Sequence, residues 1–137
     1  MKILLEIELE GLPPTVNSMY RSKRNGQRYK RENCRAYQKQ VTARMRECWQ
    51  GAAPCTGRVE LLIKYEVKDK RRWDIDNRLK ALQDCLTSAG ILKDDSQIDS
   101  LKIKRVPSDV SRTKITLREY EVRNEVPRVT KNQITVP

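Results

Sequence analysis

Between residues 58 and 106 the spacing of the apolar residues changes twice, and this restricts the fold more than any other feature of the chain. From Arg58 to Val67, the residues Val59, Leu61, Ile63, Tyr65 and Val67 recur at every second position, with Leu62 in addition. That is the period of a strand, in β-favouring residues. From Asn77 to Ala89 the period lengthens. Leu79, Leu82, Leu86 and Ala89 make one stripe of a helix, and Gly90 supplies its stop. From Ile98 to Val106 the step returns to two, through Leu101, Ile103 and Arg105. A one-sided helix and a strand each need a partner to cover the apolar side, so the helix must lie on a sheet.

The flanking segments extend the pattern. Leu5, Ile7 and Leu9 alternate with Glu6, Glu8 and Glu10, which predicts a half-buried strand over residues 2–10. Gly11-Leu12-Pro13-Pro14 ends it, because proline cannot donate to a ladder. Residues 35–50 read as a helix through Ala36, Val41, Met45 and Trp49, ended by Gly51. Ile115 and Leu117 mark a last strand over 113–122, joined to the 98–106 strand through Pro107-Ser108-Asp109 as a hairpin. Residues 15–35 have no apolar period, and Asn17-Ser18 and Asn25-Gly26 carry turn chemistry, so this segment reads as a loop. The order is βαβαββ. It predicts an α+β domain, helices packed on a small mixed β-sheet, over residues 1–122, followed by a C-terminal tail, 123–137, without a period.

Charge narrows the partner. The 137 residues carry 29 Lys and Arg against 18 Asp and Glu, a net charge of +11 with no histidine. The cations cluster. Arg21, Lys23, Arg24, Arg28, Lys30, Arg31 and Arg35 fall in one segment with Tyr20 and Tyr29, and Lys70, Arg71 and Arg72 stand just before Trp73. Such cations neutralise phosphates, and tyrosines stack on unpaired bases, so both runs, with Asn17, are candidate DNA contacts. The plainer reading of the first run is a solvated loop whose tyrosines cover the core. The lack of histidine removes Ser/His, Cys/His and His-metal chemistry. Cys34, Cys48, Cys55 and Cys85 show no Cys-x-x-Cys spacing and read as free thiols of a cytoplasmic protein. The N-terminus turns acidic at Glu6, too early for a signal peptide, and no apolar run approaches the roughly 20 residues of a membrane helix.

Against this basic background, acids gather at one place. Asp74-Ile75-Asp76 directly follows the basic run, and Asp94-Asp95 lies past Gly90. A cation that binds both acids and a polyanion explains the contrast, and Mg²⁺ with a phosphodiester is the natural pair. Mg²⁺ takes hard oxygen ligands, commonly one or two carboxylates plus water and phosphate. An Asp-x-Asp at a strand end presents both side chains on one face. Lys80, a turn further on, is placed to orient a water or offset charge on the phosphate. The structural alternatives are a salt bridge from Lys80 to Asp76 or Asp84 and a helix cap by Asp76 or Asn77. A helix over 77–89 is about 20 Å long. A third acid from beyond Gly90 therefore reaches Asp74 and Asp76 either by folding back along the helix or from a second subunit, two such helices packing antiparallel about a two-fold.

The motifs resemble those of the RusA-type Holliday junction resolvases over roughly residues 3–121. One anchor is Leu12-Pro13-Pro14-Thr15-Val16-Asn17-Ser18-Met19-Tyr20-Arg21. The other runs Asp74-Ile75-Asp76-Asn77-Arg78-Leu79-Lys80, Gln83-Asp84-Cys85-Leu86, Ala89-Gly90-Ile91-Leu92 and Asp94-Asp95-Ser96-Gln97-Ile98. The resemblance implies a homodimeric, Mg²⁺-dependent endonuclease, a hydrolase that nicks two opposed strands of four-way junction DNA and needs no small-molecule cofactor. It also implies Asp74, Asp76 and Asp95 as metal ligands and Lys80 as a catalytic residue. Trp73 departs from the family's usual arginine, so Arg71 and Arg72 take over its phosphate contact or Trp73 stacks at the junction. Cys85 stands where alanine is usual, and the tail is longer. Two other functions fit the residues: a non-catalytic nucleic-acid-binding protein whose acids only cap a helix, and a nuclease for other branched DNA such as flaps.

Overall fold

The computed structural model describes residues 2–16, 20–22, 28–30, 32–70 and 73–121, with only the backbone of 20–22 and 28–30. Strand β1 covers Ile3–Glu10, β2 Tyr20–Ser22 and β3 Arg28–Lys30. Helix α1 covers Glu32–Trp49, strand β4 Val59–Val67 and helix α2 Leu79–Ser88. A 3-10 turn at Asp95–Gln97 leads into β5, Ile98–Pro107, and β6 is Arg112–Glu119. The main sheet has the order β1-β6-β4-β5. Strands β4 and β5 run parallel, while β6 is antiparallel to both β4 and β1. This is the expected α+β architecture with a small mixed sheet. The tail expected over 123–137 lies outside the described residues.

The alternation in β1 and β4 works as expected. Leu5, Ile7, Leu9, Val59, Leu61, Ile63, Tyr65 and Val67 are buried in one cluster with Val41 and Met45 of α1 and Leu82, Cys85 and Leu86 of α2. Both helices therefore cover the same face of the sheet. Burying each such side chain contributes about 1.5–3 kcal/mol. The stripe of α1 runs through Cys34, Val41, Thr42 and Met45, with Trp49 packed at its end, while Ala36 is exposed. Helix α2 stops where expected. Gly90 takes a φ of +74°, a conformation that costs glycine little, and its N–H donates to the Thr87 carbonyl. No described helix is long and apolar enough to cross a membrane. None of the four cysteines is in a disulfide.

Three expectations fail. The strands over 98–107 and 112–119 are not a hairpin: β6 is inserted between β4 and β1, and β5 lies on the far side of β4. Strand β4 is the most apolar and needs a neighbour on each edge. The α2 crossover delivers β5 parallel to it, leaving the other edge to β6. The 15–35 segment is not wholly loop, because β2 and β3 pair antiparallel within it, Arg21 opposite Tyr29. Strands of three residues are too short to show a period. Finally, neither Asp76 nor Asn77 caps α2. The N-cap position is Arg78, without a side-chain cap bond.

Candidate active site

Strand β4 ends at Val67, so Asp74 and Asp76 do not sit on a strand end as expected. They lie on a tight turn just before α2. The Asn77 N–H donates to the Asp74 carbonyl at 3.0 Å, and the Leu79 N–H donates to the Asp76 carbonyl at 3.1 Å. Both aspartates are exposed. Among the described residues, no hydrogen bond or ion pair reaches either carboxylate. With the capping role also absent, these two acids have no structural task within the described chain. Two free carboxylates with room for water and phosphate suit Mg²⁺, which seldom takes more from the protein.

The turn itself is held firmly. Arg78 Nη1 donates to the carbonyl of buried Pro13, and the Val16 N–H donates to the Asn77 carbonyl at 2.8 Å. The Pro13–Val16 segment thus braces the turn from one side. On the other, Trp73 meets Tyr65 edge-on at 5.3 Å between ring centroids. The guanidinium carbons of Arg78 and Arg105 stand 4.6 and 4.8 Å from the centroid of its indole ring. Arg105 also donates to the Trp73 carbonyl. Cations over an indole attract its electron-rich face. Burial pushes the Arg78 guanidinium below its ordinary pKa, opposed by nearby Tyr65 and Tyr37. The ring of Trp73 is therefore engaged in packing against Tyr65, Arg78 and Arg105.

Lys80 projects from the first turn of α2, with Nζ 3.4 Å from Asp84 Oδ1. The pair is an exposed i, i+4 contact worth a few tenths of a kcal/mol, about 0.2–0.5. That is too weak to hold the ammonium in place.

Asp94 and Asp95 play different parts. Asp94 caps the 3-10 turn, accepting from the Ser96 N–H at 3.3 Å and from the Ser96 hydroxyl, which holds its carboxyl below the usual range. Gln97, buried, completes this capping box. Its Oε1 accepts from the N–H groups of Lys93 and Asp94 at 2.7 and 3.1 Å, and its Nε2 donates to the carbonyls of Cys55 and Gly57. The Asp95 carboxylate is left outside this network, and among the described residues only the Thr87 hydroxyl donates to it, at 3.0 Å. Thr87 is in the last turn of α2, so Asp95 stands at the opposite end of the helix from Asp74 and Asp76. Leu79 and Thr87 alone are about 12 Å apart along the axis. The link after Gly90 does not fold back, and no group of three metal-binding side chains forms among the described residues of one chain.

Of the candidate DNA contacts, Asn17, Lys23, Arg24, Arg31, Arg71 and Arg72 lie outside the described residues. Tyr20 and Arg21 are on β2 and Arg28 and Lys30 on β3, where the backbone alone is described. Lys70 is exposed beside the turn. Sequence reasoning missed Arg78, Thr87, Gln97 and Arg105. Two of these left a signal: Asp94-x-x-Gln97 has capping-box spacing, and Arg105 continues the Leu101–Ile103 alternation, which sets it beside Tyr65 of β4.

The sequence model of the family described as endodeoxyribonuclease RusA matches residues 10–118. The chain is 30% identical over 132 residues to the crossover junction endodeoxyribonuclease rusA of Lactococcus phage r1t, covering 87% of this chain and 99% of that one. It is 34% identical over 93 residues to the crossover junction endodeoxyribonuclease rusA of Enterobacteria phage HK97, covering 68% of this chain and 76% of that one. The protein of that name from Escherichia coli (strain K12) is 30% identical over 108 residues, 78% of this chain and 88% of that one.

Proposed function

The chain belongs to the RusA endodeoxyribonuclease family, and from that premise we propose that it is a crossover junction endodeoxyribonuclease that resolves Holliday junctions with a divalent cation, Mg²⁺, in the cytoplasm. The observation that carries the reading is the pair Asp74 and Asp76: exposed, without a described partner, on a turn braced by Pro13, Val16 and Trp73. The capping role that a non-catalytic protein would give these acids is taken by neither.

Asp74 and Asp76 would hold the cation, with Asp95 as the third ligand, and the bound cation would supply Lewis-acid polarisation of the scissile phosphate and a more acidic water. The chain's own residues do the rest. Arg78 and Trp73 fix the turn so that the two carboxylates do not have to be ordered on binding. Lys80 turns from Asp84 toward the phosphate and offsets the charge that builds there. Lys70, with Arg71 and Arg72, holds the strand by its backbone. The separation of Asp95 from Asp74 and Asp76 along α2 supports a homodimer in which the partner's copy of this aspartate completes each site, giving two equivalent sites for two strands.

The test is nick mapping on a labelled synthetic four-way junction, a flap and a linear duplex, with Mg²⁺ or with EDTA. Paired symmetric nicks on the junction alone, lost in EDTA, are expected. Metal-dependent nicks on the flap and not the junction would replace junction resolution with flap cleavage. The absence of any metal-dependent nick would remove the nuclease reading.

A further inference from the structure

The face of the sheet opposite α1 and α2 carries a charge arrangement that folding does not call for. Lys64 lies in β4, and the strand register sets Lys104 of β5 opposite it on one side and Lys114 of β6 on the other. The neighbours Ile63 and Ile115 are buried on the helix side, so the three lysines project from the other face. Adjacent strands are about 4.8 Å apart. Like charges directly opposite weaken a ladder, so this row opposes folding. Compensation is incomplete. Lys64 and Lys114 share the Glu66 carboxylate, at 3.8 and 3.0 Å, and Arg112 takes its other oxygen at 3.0 Å. Lys104 has no ion-pair partner among the described residues. Lys102, on the next row, stands 3.9 Å from Glu60, which Arg118 already holds. The four lysines line a shallow groove of about 380 Å³ that includes Leu62 and Thr116.

We propose that this lysine row is a second DNA-contact surface, which takes the phosphate backbone of a duplex arm away from the nicking site. The identity of the polyanion rests on the junction-nuclease reading above. Ammonium groups spaced by the sheet suit a phosphate backbone, whose charge is dense and regular, and they position DNA without reading its sequence. Strands β4 and β5 run parallel and finish together at Val67 and Pro107, beside which stand the exposed Lys68 and Lys70. The chain's own tail is a poor occupant by charge, since residues 122–137 hold Arg123, Arg128 and Lys131 against Glu125 alone. A second copy of the chain seated here about a two-fold would bring lysines against lysines.

The experiment uses the full chain with Lys64→Gln and Lys104→Gln together. Glu66 keeps Lys114 and Arg112 in this variant. Affinity for a synthetic four-way junction is measured in EDTA across a salt series. The slope of log affinity against log salt should fall by about two, at roughly 0.9 for each phosphate that is no longer neutralised. Nicking at saturating junction should be unchanged, and the variant should melt no lower than the parent because a repulsion has been relieved. A double variant with the same charge change elsewhere, Lys2→Gln with Lys39→Gln, should leave the slope as it was. Equal slopes for the two double variants would overturn the proposal. So would a change in sedimentation coefficient for the Lys64/Lys104 variant, which would make this face a subunit interface. A parent chain that nicks the junction while the slope stays unmoved overturns this proposal only. A parent that neither binds nor nicks removes the nuclease reading and this one with it.

Discussion

Glu60 and Glu66 on β4 are surrounded by cations, whereas Asp74 and Asp76, on the turn that follows the strand, meet none among the described residues. Glu60 accepts from Ser100 at 2.6 Å and is bound by Arg118 and Lys102. Glu66 is bound by Lys114, Arg112 and Lys64. In a chain of net charge +11, cations are easily found for an acid. The sheet glutamates are buried and use their charge to hold strands together. The turn aspartates are exposed, and their charge remains available to a cation from solution.

The largest effect should come from neutralising a turn acid. Asp76→Asn is expected to lower nicking by on the order of 10²–10³-fold, the scale of removing one charge-stabilising group. Junction binding should hold or tighten, since one repulsive charge is gone. An exposed substitution of this kind changes stability by less than about 0.5 kcal/mol. Nicking at the parental rate would return Asp76 to the class of surface acids. Mixing Asp76→Asn subunits with Asp95→Asn subunits sharpens the point. If each site draws Asp95 from the partner, a mixed dimer keeps one intact site and nicks one strand. If all ligands came from one chain, the mixture would stay inactive.

Arg78→Ala tests whether the turn must be braced as well as acidic. It removes a charged hydrogen bond to Pro13, about 1.5–3 kcal/mol, and a cation over Trp73, about 0.5–2 kcal/mol. A loss of about 3 kcal/mol by urea unfolding is expected. Nicking should fall more than junction affinity, because the carboxylates lose their fixed geometry before the basic surface is touched. Arg78→Lys keeps the charge without the planar fork and should recover only part of both.

Glu60→Gln addresses the other half of the comparison. Its loss should cost about 1.5–3 kcal/mol at neutral pH, with nicking of the folded protein unaffected. The Ser100 hydrogen bond, with help from Arg118 and Lys102, outweighs burial and holds the Glu60 carboxyl below its ordinary pKa. A group whose pKa is depressed in the folded state contributes stability that is complete above its unfolded pKa. That contribution is lost as pH falls through the folded value. The gap between parent and variant should therefore be full at pH 7 and close below the ordinary carboxylate range. A gap independent of pH would mean that Glu60 acts by packing.

What the sequence revealed follows from the range of each interaction. The strands β1 and β4, the stripe of α2 and the Gly90 stop are local periodicities and are legible. The Asp-x-Asp is legible as chemistry, but its setting on a turn is not, because six residues without a period separate it from Val67. The brace between Pro13 and Arg78 joins positions 65 apart, and nothing local to either announces it. Likewise, Glu60 and Glu66 read as ordinary outward-facing residues of a strand until β5 and β6 are placed on either side of them. The strand order, with β6 inserted beside β4, is a property of the whole sheet and could not come from the spacing of 98–106 and 113–122.

The smallest expected effect lies at Thr87, where the two treatments of acids meet within one turn. Asp94 is satisfied by Ser96, and among the described residues the Asp95 carboxylate accepts only from the Thr87 hydroxyl. Thr87→Val removes that one bond and keeps the shape of the side chain. The stability cost should be about 1 kcal/mol or less. If the hydroxyl aims Asp95 toward the partner's turn, nicking should fall about fivefold, the kinetic equivalent of roughly 1 kcal/mol, with a raised Mg²⁺ requirement. Thr87→Ser restores the hydroxyl and should restore the parental Mg²⁺ requirement. A Thr87→Val protein with the parental rate and Mg²⁺ requirement would show that Asp95 needs no positioning. A serine variant as impaired as the valine variant would make Thr87 a packing residue. Either result would leave the contrast between satisfied and available acids resting on Asp74 and Asp76 alone.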